Sequence, residues 1–421
     1  MVRLALLTGL GRNRDFLKLW AGQSVSLFGS QVTRLALPLA AVLTLHAGAA
    51  QMGLLGAALL TPYLVFGLFA GVLVDRLRRR PILIAADVGR AALLAVIPVL
   101  AISGRLRIEH LYAIGFLFGT LEVFFEVAYQ SFVPRIVDRD QLTQANSRLQ
   151  LSDSAAQVAG PGLAGALVQL LTAPVAIIVD AASFVVSAIT LVLIRTSEAP
   201  HSSVHRPGAW AELREGLVLV VGQPWLRAIA GCTATLNFFA NLLMTVYILY
   251  ATSSLGLPPA LIGAIFAVGG VSTIFGTMLA GPVARRLGIG RALLGASLVI
   301  GIAGLLIPIA AGPGPVAIAL LIGTQVLWGL SRPVFDINQL SLRQAITTDR
   351  FQGRVNATML FIVWGVIPFG SILGGALGST IGLRATIAVG AGGMLLAVLW
   401  MVFSPIRHLR TLPRASDEAA A

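Results

Sequence analysis

The chain has 421 residues, of which 57% are hydrophobic and only 11% charged, and its mean hydropathy is strongly positive. A water-soluble fold of this length cannot bury so much apolar side chain, which excludes a soluble enzyme or a soluble binding domain. The formal charge of +13 would suit a nucleic-acid ligand only if the basic residues shared one polar surface, so their positions along the chain decide.

Apolar runs long enough to cross roughly 30 Å of hydrocarbon as helices recur along the whole chain. They predict twelve spans, with limits near 17–46, 51–74, 82–103, 109–133, 150–172, 174–194, 226–251, 259–284, 292–311, 315–337, 355–378 and 383–405. The segment before the first span has too short an apolar core for a cleaved signal peptide and is expected to be retained. Alternate connections collect almost every basic residue, including Lys18, the Arg76–Arg80 cluster, Arg135, Arg195, Arg286, Arg343 and Arg407. The opposite connections hold only Arg105, Arg107 and Arg384. By the positive-inside rule the chain is therefore expected to be a multi-pass protein of the cell membrane with both termini cytoplasmic, and the charge is a topology signal, not a nucleic-acid footprint.

The charged residues inside the spans are few, and each is costly in lipid unless paired or solvated. In chain order, Arg34 falls near the middle of the first span. Asp87 and Arg90 fall near the start of the third and are read as a structural pair supporting the preceding bend. Glu122 and Glu126 lie one turn apart in the fourth. Asp180 lies about two turns into the sixth and is read as either a helix-packing or an outer-gate residue. Asn237 and Asn241 lie in the seventh, and Arg332 and Asp336 in the tenth.

A repeat organises these spans. The bend GVLVDRLRRRPILI at Gly71 returns as GPVARRLGIGRALL at Gly281, and the same offset of 210 residues relates Asn146 to Asn356, Glu122 to Arg332 and Glu126 to Asp336. Two copies of six helices each keep the same orientation, since six is even. The expected fold is an all-α membrane protein of two six-helix parallel pseudo-repeats: an N-terminal half, 1–194; a linker with an amphipathic interfacial helix, 195–225; a C-terminal half, 226–405; and a tail, 406–421.

Between the second and third spans, an aspartate and four arginines crowd into six positions. Topology alone explains the arginines, but not Asp75 or the small Gly71 one turn earlier, where a neighbouring helix is expected to approach closely. The set Gly71, Leu73, Asp75, Arg76, Arg79 and Arg80 resembles the G-x-L-x-D-R-x-G-R-R loop of the major facilitator superfamily, with Arg78 where the pattern has glycine. The second copy has Arg285 at the aspartate position, so the first is expected to be the functional one. The resemblance implies a charge-paired gating latch. In the fifth span, Gly160, Pro161 and Gly165 are similar to the G-P-x-x-G-G motif of antiporter branches, with Ala164 replacing the first paired glycine. FLKLWAGQSVSLFGSQVTRLALPL, VDAASFVVSA and DRFQGRVNATMLFIVWGVIPFGSILGGALG are similar to the macrolide-efflux and siderophore-exporter branch, so the resemblance covers nearly the full length. It implies that the first, fourth, seventh and tenth helices line a central cavity. Arg34, Glu122, Glu126, Asn237, Asn241, Arg332 and Asp336 would then serve substrate binding and proton coupling. AIGFLFGTLEVF lacks the arginine-bearing fourth-helix motif of other drug antiporters, so that coupling residue is not carried over.

Other chemistries have little to stand on. The sole lysine, Lys18, follows Leu17, so no phosphate-binding G-x-x-x-x-G-K-[ST] loop exists to bind ATP, and no second lysine can form a Schiff base. Five scattered histidines and the single Cys232 offer no metal cluster, since His201 and His205 share an i, i+4 spacing only within a Pro/Ser-rich loop. No serine stands in G-x-S-x-G. The expected protein is a monomeric secondary transporter without cofactor, exporting an amphipathic drug or metabolite in exchange for protons. A siderophore or other anionic metabolite is the rival cargo, and a non-transporting sensor or scaffold the rival class.

Overall fold

The computed structural model describes residues 9–195 and 209–411, excepting the side chains of Arg12, Leu68, Val72, Asp75, Arg76, Arg139, residues 209–213, Asp349 and Arg350. The latch residues Asp75 and Arg76 therefore lie outside the described side chains, as do His201 and His205. Every regular element among the described residues is helical. This follows from the sequence, because a chain in hydrocarbon must satisfy its backbone groups within each segment.

The helices are α1 (Arg14–Leu39), α2 (Ala49–Arg76), α3 (Arg79–Ile102), α4 (Ile108–Ile136), α5 (Leu142–Leu171), α6 (Ala173–Leu193), α7 (Ala209–Gly222), α8 (Pro224–Leu249), α9 (Pro259–Leu287), α10 (Ile289–Ile309), α11 (Pro315–Ile346), α12 (Asp349–Gly365), α13 (Ile367–Thr380) and α14 (Leu383–Val402). Among the described residues twelve spans are long and apolar enough to cross a membrane, with α12 and α13 forming one of them across a break at Val366. The span centres match those read from hydropathy, but several ends do not. Helix α5 begins at Leu142, not near 150, and α11 runs on to Ile346, not 337. Hydropathy marks the oily part of a helix, whereas TQANSRLQ and NQLSLRQ, which contain neither Gly nor Pro, continue it beyond that part.

The repeat is written into the backbone. Helices α1 and α8 both end in a π-turn, Ala40–Thr44 and Tyr250–Ser254, at positions related by the 210-residue offset. The same offset pairs His46 (φ 52°) with Gly256 (φ 63°), and Thr172 (φ 84°) with Gly382 (φ 87°). Glycine accepts positive φ freely, while a β-branched threonine there is strained by about 1–3 kcal/mol. Thr172→Gly, which installs the residue of the second copy, is expected to stabilise the protein by about 1 kcal/mol. The check is the thermal melting midpoint in detergent, which should rise.

Contacts divide the described residues into one unit comprising 9–47, 58–195 and 258–267, and another comprising 48–57, 209–257 and 268–411. In the first unit, α1 packs along α6 through glycines. A Cβ on Gly22 would collide with Thr190, and one on Gly29 with Ser183 and Asp180. At the shared end of these helices, Asn13 caps α1 by accepting from the Phe16 N–H (3.0 Å) and donates to the Ile136 carbonyl (2.7 Å) that closes α4. The final carbonyls of α6 are also satisfied. Arg80 donates to those of Leu191 (2.9 Å) and Val192 (2.6 Å), and Lys18 to that of Leu193 (2.7 Å).

The fifth-span motif finds its packing partner in this unit as well. A Cβ on Gly165 would fall 2.5 Å from the Pro259 carbonyl oxygen and 3.0 Å from the Gly263 Cα, so α5 meets the first turns of α9 backbone to backbone. In the second unit the counterpart is Gly375 of α13, whose Cβ would lie 2.7 Å from the Gly53 Cα of α2. The close approach expected at Gly71 is absent: nothing described lies within 4 Å of a Cβ placed there. Helix α2 makes its tight small-residue contact at its other end, through Gly53.

Candidate functional site

Within the first unit, α1, α2 and α4 bring Arg34, Glu122 and Glu126 within electrostatic reach of Tyr63, and Arg34 and Glu122 within reach of Glu126, whose carboxylate accepts from the Tyr63 hydroxyl. The i, i+4 spacing on α4 turns both acids to one face, where like charges repel. Arg34 and Glu126 are exposed, and Glu122 and Tyr63 are half-buried. With both acids ionised this group carries a net charge of −1. One bound proton, or one cation, neutralises it.

Behind this group lies a dry one. Asp87 and Arg90 on α3 are hydrogen-bonded at 2.5 Å, and both are buried. The Arg90 guanidinium sits between the rings of Phe125 on α4 and Phe184 on α6, 4.2 Å from each centroid. The pair thus lies nearer the middle of α3 than its start, held by aromatic rings of α4 and α6. Asp180 is fully buried at the crossing of α6 and α1. It accepts from the Ser183 hydroxyl at 3.0 Å, while its Oδ2 has no hydrogen-bond partner.

In the second unit the equivalent positions carry opposite charges and close on themselves. Arg332 Nε donates to Asp336 Oδ2 at 2.8 Å, and Arg332 Nη2 to Asn237 Oδ1 at 3.0 Å. Asn241 in turn donates to the Asn237 carbonyl at 3.0 Å. Arg332, Asp336 and Asn237 line a pocket of about 330 Å³ between α8, α11 and α12. Thr233, Gln339, Arg343 and Trp364 line it too, and sequence reasoning missed all four. Hydropathy alone puts Arg343 in a connection, because the apolar run of the tenth span ends before α11 does. Tyr63 was missed for another reason: a tyrosine beside Pro62 in an apolar helix looks like packing.

The remaining candidates divide between the two units. Gly160 of α5 lies against the Gln31 side chain of α1, and the Pro161 carbonyl oxygen faces Gly263. Arg79 is buried at the start of α3, while Arg80 caps α6 as described. Among the described residues no cluster of His, Cys, Asp and Glu could hold a metal ion.

Comparison with known proteins places the chain in a family. Residues 19–369 match the family model described as Major Facilitator Superfamily. The chain is 27% identical over 365 residues to the multidrug efflux pump Tap of Mycolicibacterium fortuitum, covering 84% of this chain and 87% of that protein. It is 29% identical over 210 residues to macrolide efflux protein A of Streptococcus pyogenes, covering 49% of this chain and 51% of that protein. Among solved structures, a bacterial homologue of the iron transporter ferroportin, in an inward-facing state, superposes with a TM-score of 0.73. It shares 18% identity over 94% of this chain and 99% of the other, a likeness of fold.

Proposed function

We propose, from the premise that this chain belongs to the major facilitator superfamily, that it exports an amphipathic drug or metabolite in exchange for protons, by alternating access. It is a multi-pass membrane transporter and not an enzyme. Efflux pumps among its relatives support the outward direction. Proton exchange is supported by one observation above the others: two acids on one face of α4 share a single arginine, Arg34, and a tyrosine hydroxyl. A group of net charge −1 is relieved by one proton, or by a cationic part of the cargo, and competition between the two is antiport. Glu122 is the proton carrier in this reading.

The transporter works in the cell membrane as a monomer, with both termini cytoplasmic and without ATP or a cofactor. The uneven distribution of arginines supports the orientation. Gly71, Asp75, Arg76, Arg79 and Arg80 form the cytoplasmic latch, and Gly160, Pro161 and Gly165 the repacking helix motif. The capping of α6 by Arg80 supports a role for the bend in holding helix ends together.

The test is flux. Purified protein in liposomes, loaded with a panel of labelled antibiotics and siderophores, is expected to move at least one of them against its gradient when a pH difference is imposed, and not when it is collapsed. Substrate binding without flux would favour a sensor or scaffold. Flux indifferent to the pH gradient would remove proton coupling and leave the transporter.

A further inference from the structure

Helix α11 carries Arg332, Asp336, Gln339 and Arg343 at i, i+4, i+7 and i+11, which places all four on one helix face, and all four line the pocket of about 330 Å³. A volume of that order accommodates a functional group with part of its carrier. Its charges do not balance. Arg332 is neutralised by Asp336 at 2.8 Å, whereas among the described residues no carboxylate pairs with Arg343. The pocket therefore holds a net charge of +1.

Three polar atoms around the pocket are also buried without a hydrogen bond: Thr233 Oγ1, Gln339 Oε1 and Arg343 Nε. Buried polar groups almost always have partners, so three orphans on one pocket mark a place built for something polar. The guanidinium N–H needs an acceptor, preferably an anionic one, because a charge-assisted hydrogen bond is the stronger kind. The Gln339 oxygen needs a donor. Opposite them, Met359, Leu360 and Trp364 of α12 form an apolar wall.

We propose that this pocket binds the carboxylate-bearing head of an amphipathic cargo, with the carboxylate on Arg343, a neighbouring N–H or O–H on Gln339 Oε1, and the apolar body along Met359, Leu360 and Trp364. The proposal rests on the transporter reading above and narrows its cargo to one that bears a carboxylate as well as the cationic part that competes with the proton. It assigns the selecting charge to Arg343, not to Arg332, whose guanidinium is already occupied by Asp336 and Asn237.

The experiment uses two probes of one body, dansyl-phenylalanine and its neutral carboxamide, titrated against the full-length protein in phosphatidylcholine nanodiscs. The carboxylate is expected to bind at least about tenfold more tightly than the amide, the scale of one charge-assisted contact. Arg343→Gln should bring the two to parity while leaving the amide unchanged, and Arg343→Lys should keep part of the preference. Where Arg343→Gln fails to fold, Arg343→Met, which also removes the charge, supplies the same comparison. Equal binding of the two probes by the parent, or a preference that survives Arg343→Gln, overturns the proposal. So does loss of an Arg343-dependent preference when phosphatidylglycerol replaces part of the lipid, which would assign the pocket to a lipid headgroup. Flux in liposomes separates the two levels. Proton-driven flux with no carboxylate preference sinks the pocket and spares the exporter, while an Arg343-dependent preference without any flux does the reverse.

Discussion

Glu122→Gln is expected to reduce proton-driven accumulation of substrate in proteoliposomes to the level of protein-free vesicles, while downhill exchange of labelled for unlabelled substrate continues. The reason is charge arithmetic within the first unit. With Glu122 and Glu126 both ionised against Arg34, the group holds one negative charge in excess, and a proton that binds there changes its net charge from −1 to zero. Glutamine at 122 is a permanent mimic of the protonated acid. Arg34 and Glu126 then balance, the carrier reorients freely, and nothing links its return to a proton. Glu126→Gln is expected to be milder, because Glu126 is the more exposed of the two and has the Tyr63 hydroxyl as a partner that an amide can keep. If Glu122→Gln vesicles still build a substrate gradient at the parental rate, Glu122 is not the coupling acid, and Asp336 and Asp180 become the acids to test.

How much of this was legible beforehand depended on whether a signal was local or tertiary. The spans and the repeat could be read because lipid imposes a one-dimensional rule, about twenty apolar residues per crossing, and because the two copies keep their spacing down to the left-handed residues at His46 and Gly256. The acids of α4 stood out for the same reason, since a charge in an oily run is conspicuous. Arg343 was hidden by that very rule. It lies beyond the apolar run of α11, where an arginine ordinarily reports topology, and only continuation of the helix to Ile346 turns it toward Gln339 and the pocket. The i, i+4, i+7, i+11 spacing was there to be noticed, had the helix been carried past the end of its hydropathy. The bed of Arg90 was not legible at all. Phe125 and Phe184 are ordinary apolar residues of their own helices, and only the packing of α3, α4 and α6 makes them a sandwich around a guanidinium.

That sandwich carries the largest expected effect on stability. Asp87 is wholly buried and Arg90 nearly so, and the pair forms a hydrogen-bonded ion pair inside the helix bundle. Removing one member of a buried pair strands the other as an uncompensated charge, which costs about 3–5 kcal/mol, more than a surface pair could ever supply. Arg90→Met is therefore expected to leave little folded protein, seen as loss of the monodisperse peak on size-exclusion chromatography and a sharply lowered melting midpoint in detergent. The effect should be severe because Arg90 also acts on Asp180, the second buried acid of this unit, whose other polar neighbours include the uncharged hydroxyls of Thr33 and Ser183. Arg90→Lys should rescue poorly, since an ammonium cannot present flat faces to two rings at once. The double variant Asp87→Asn with Arg90→Met removes both charges together and is expected to recover much of the lost stability, because an apolar or neutral replacement of a whole buried pair is often close to neutral. A double variant no more stable than Arg90→Met alone would show that the two residues do not act as a unit, and that the aromatic stacking, not the ion pair, holds the three helices together.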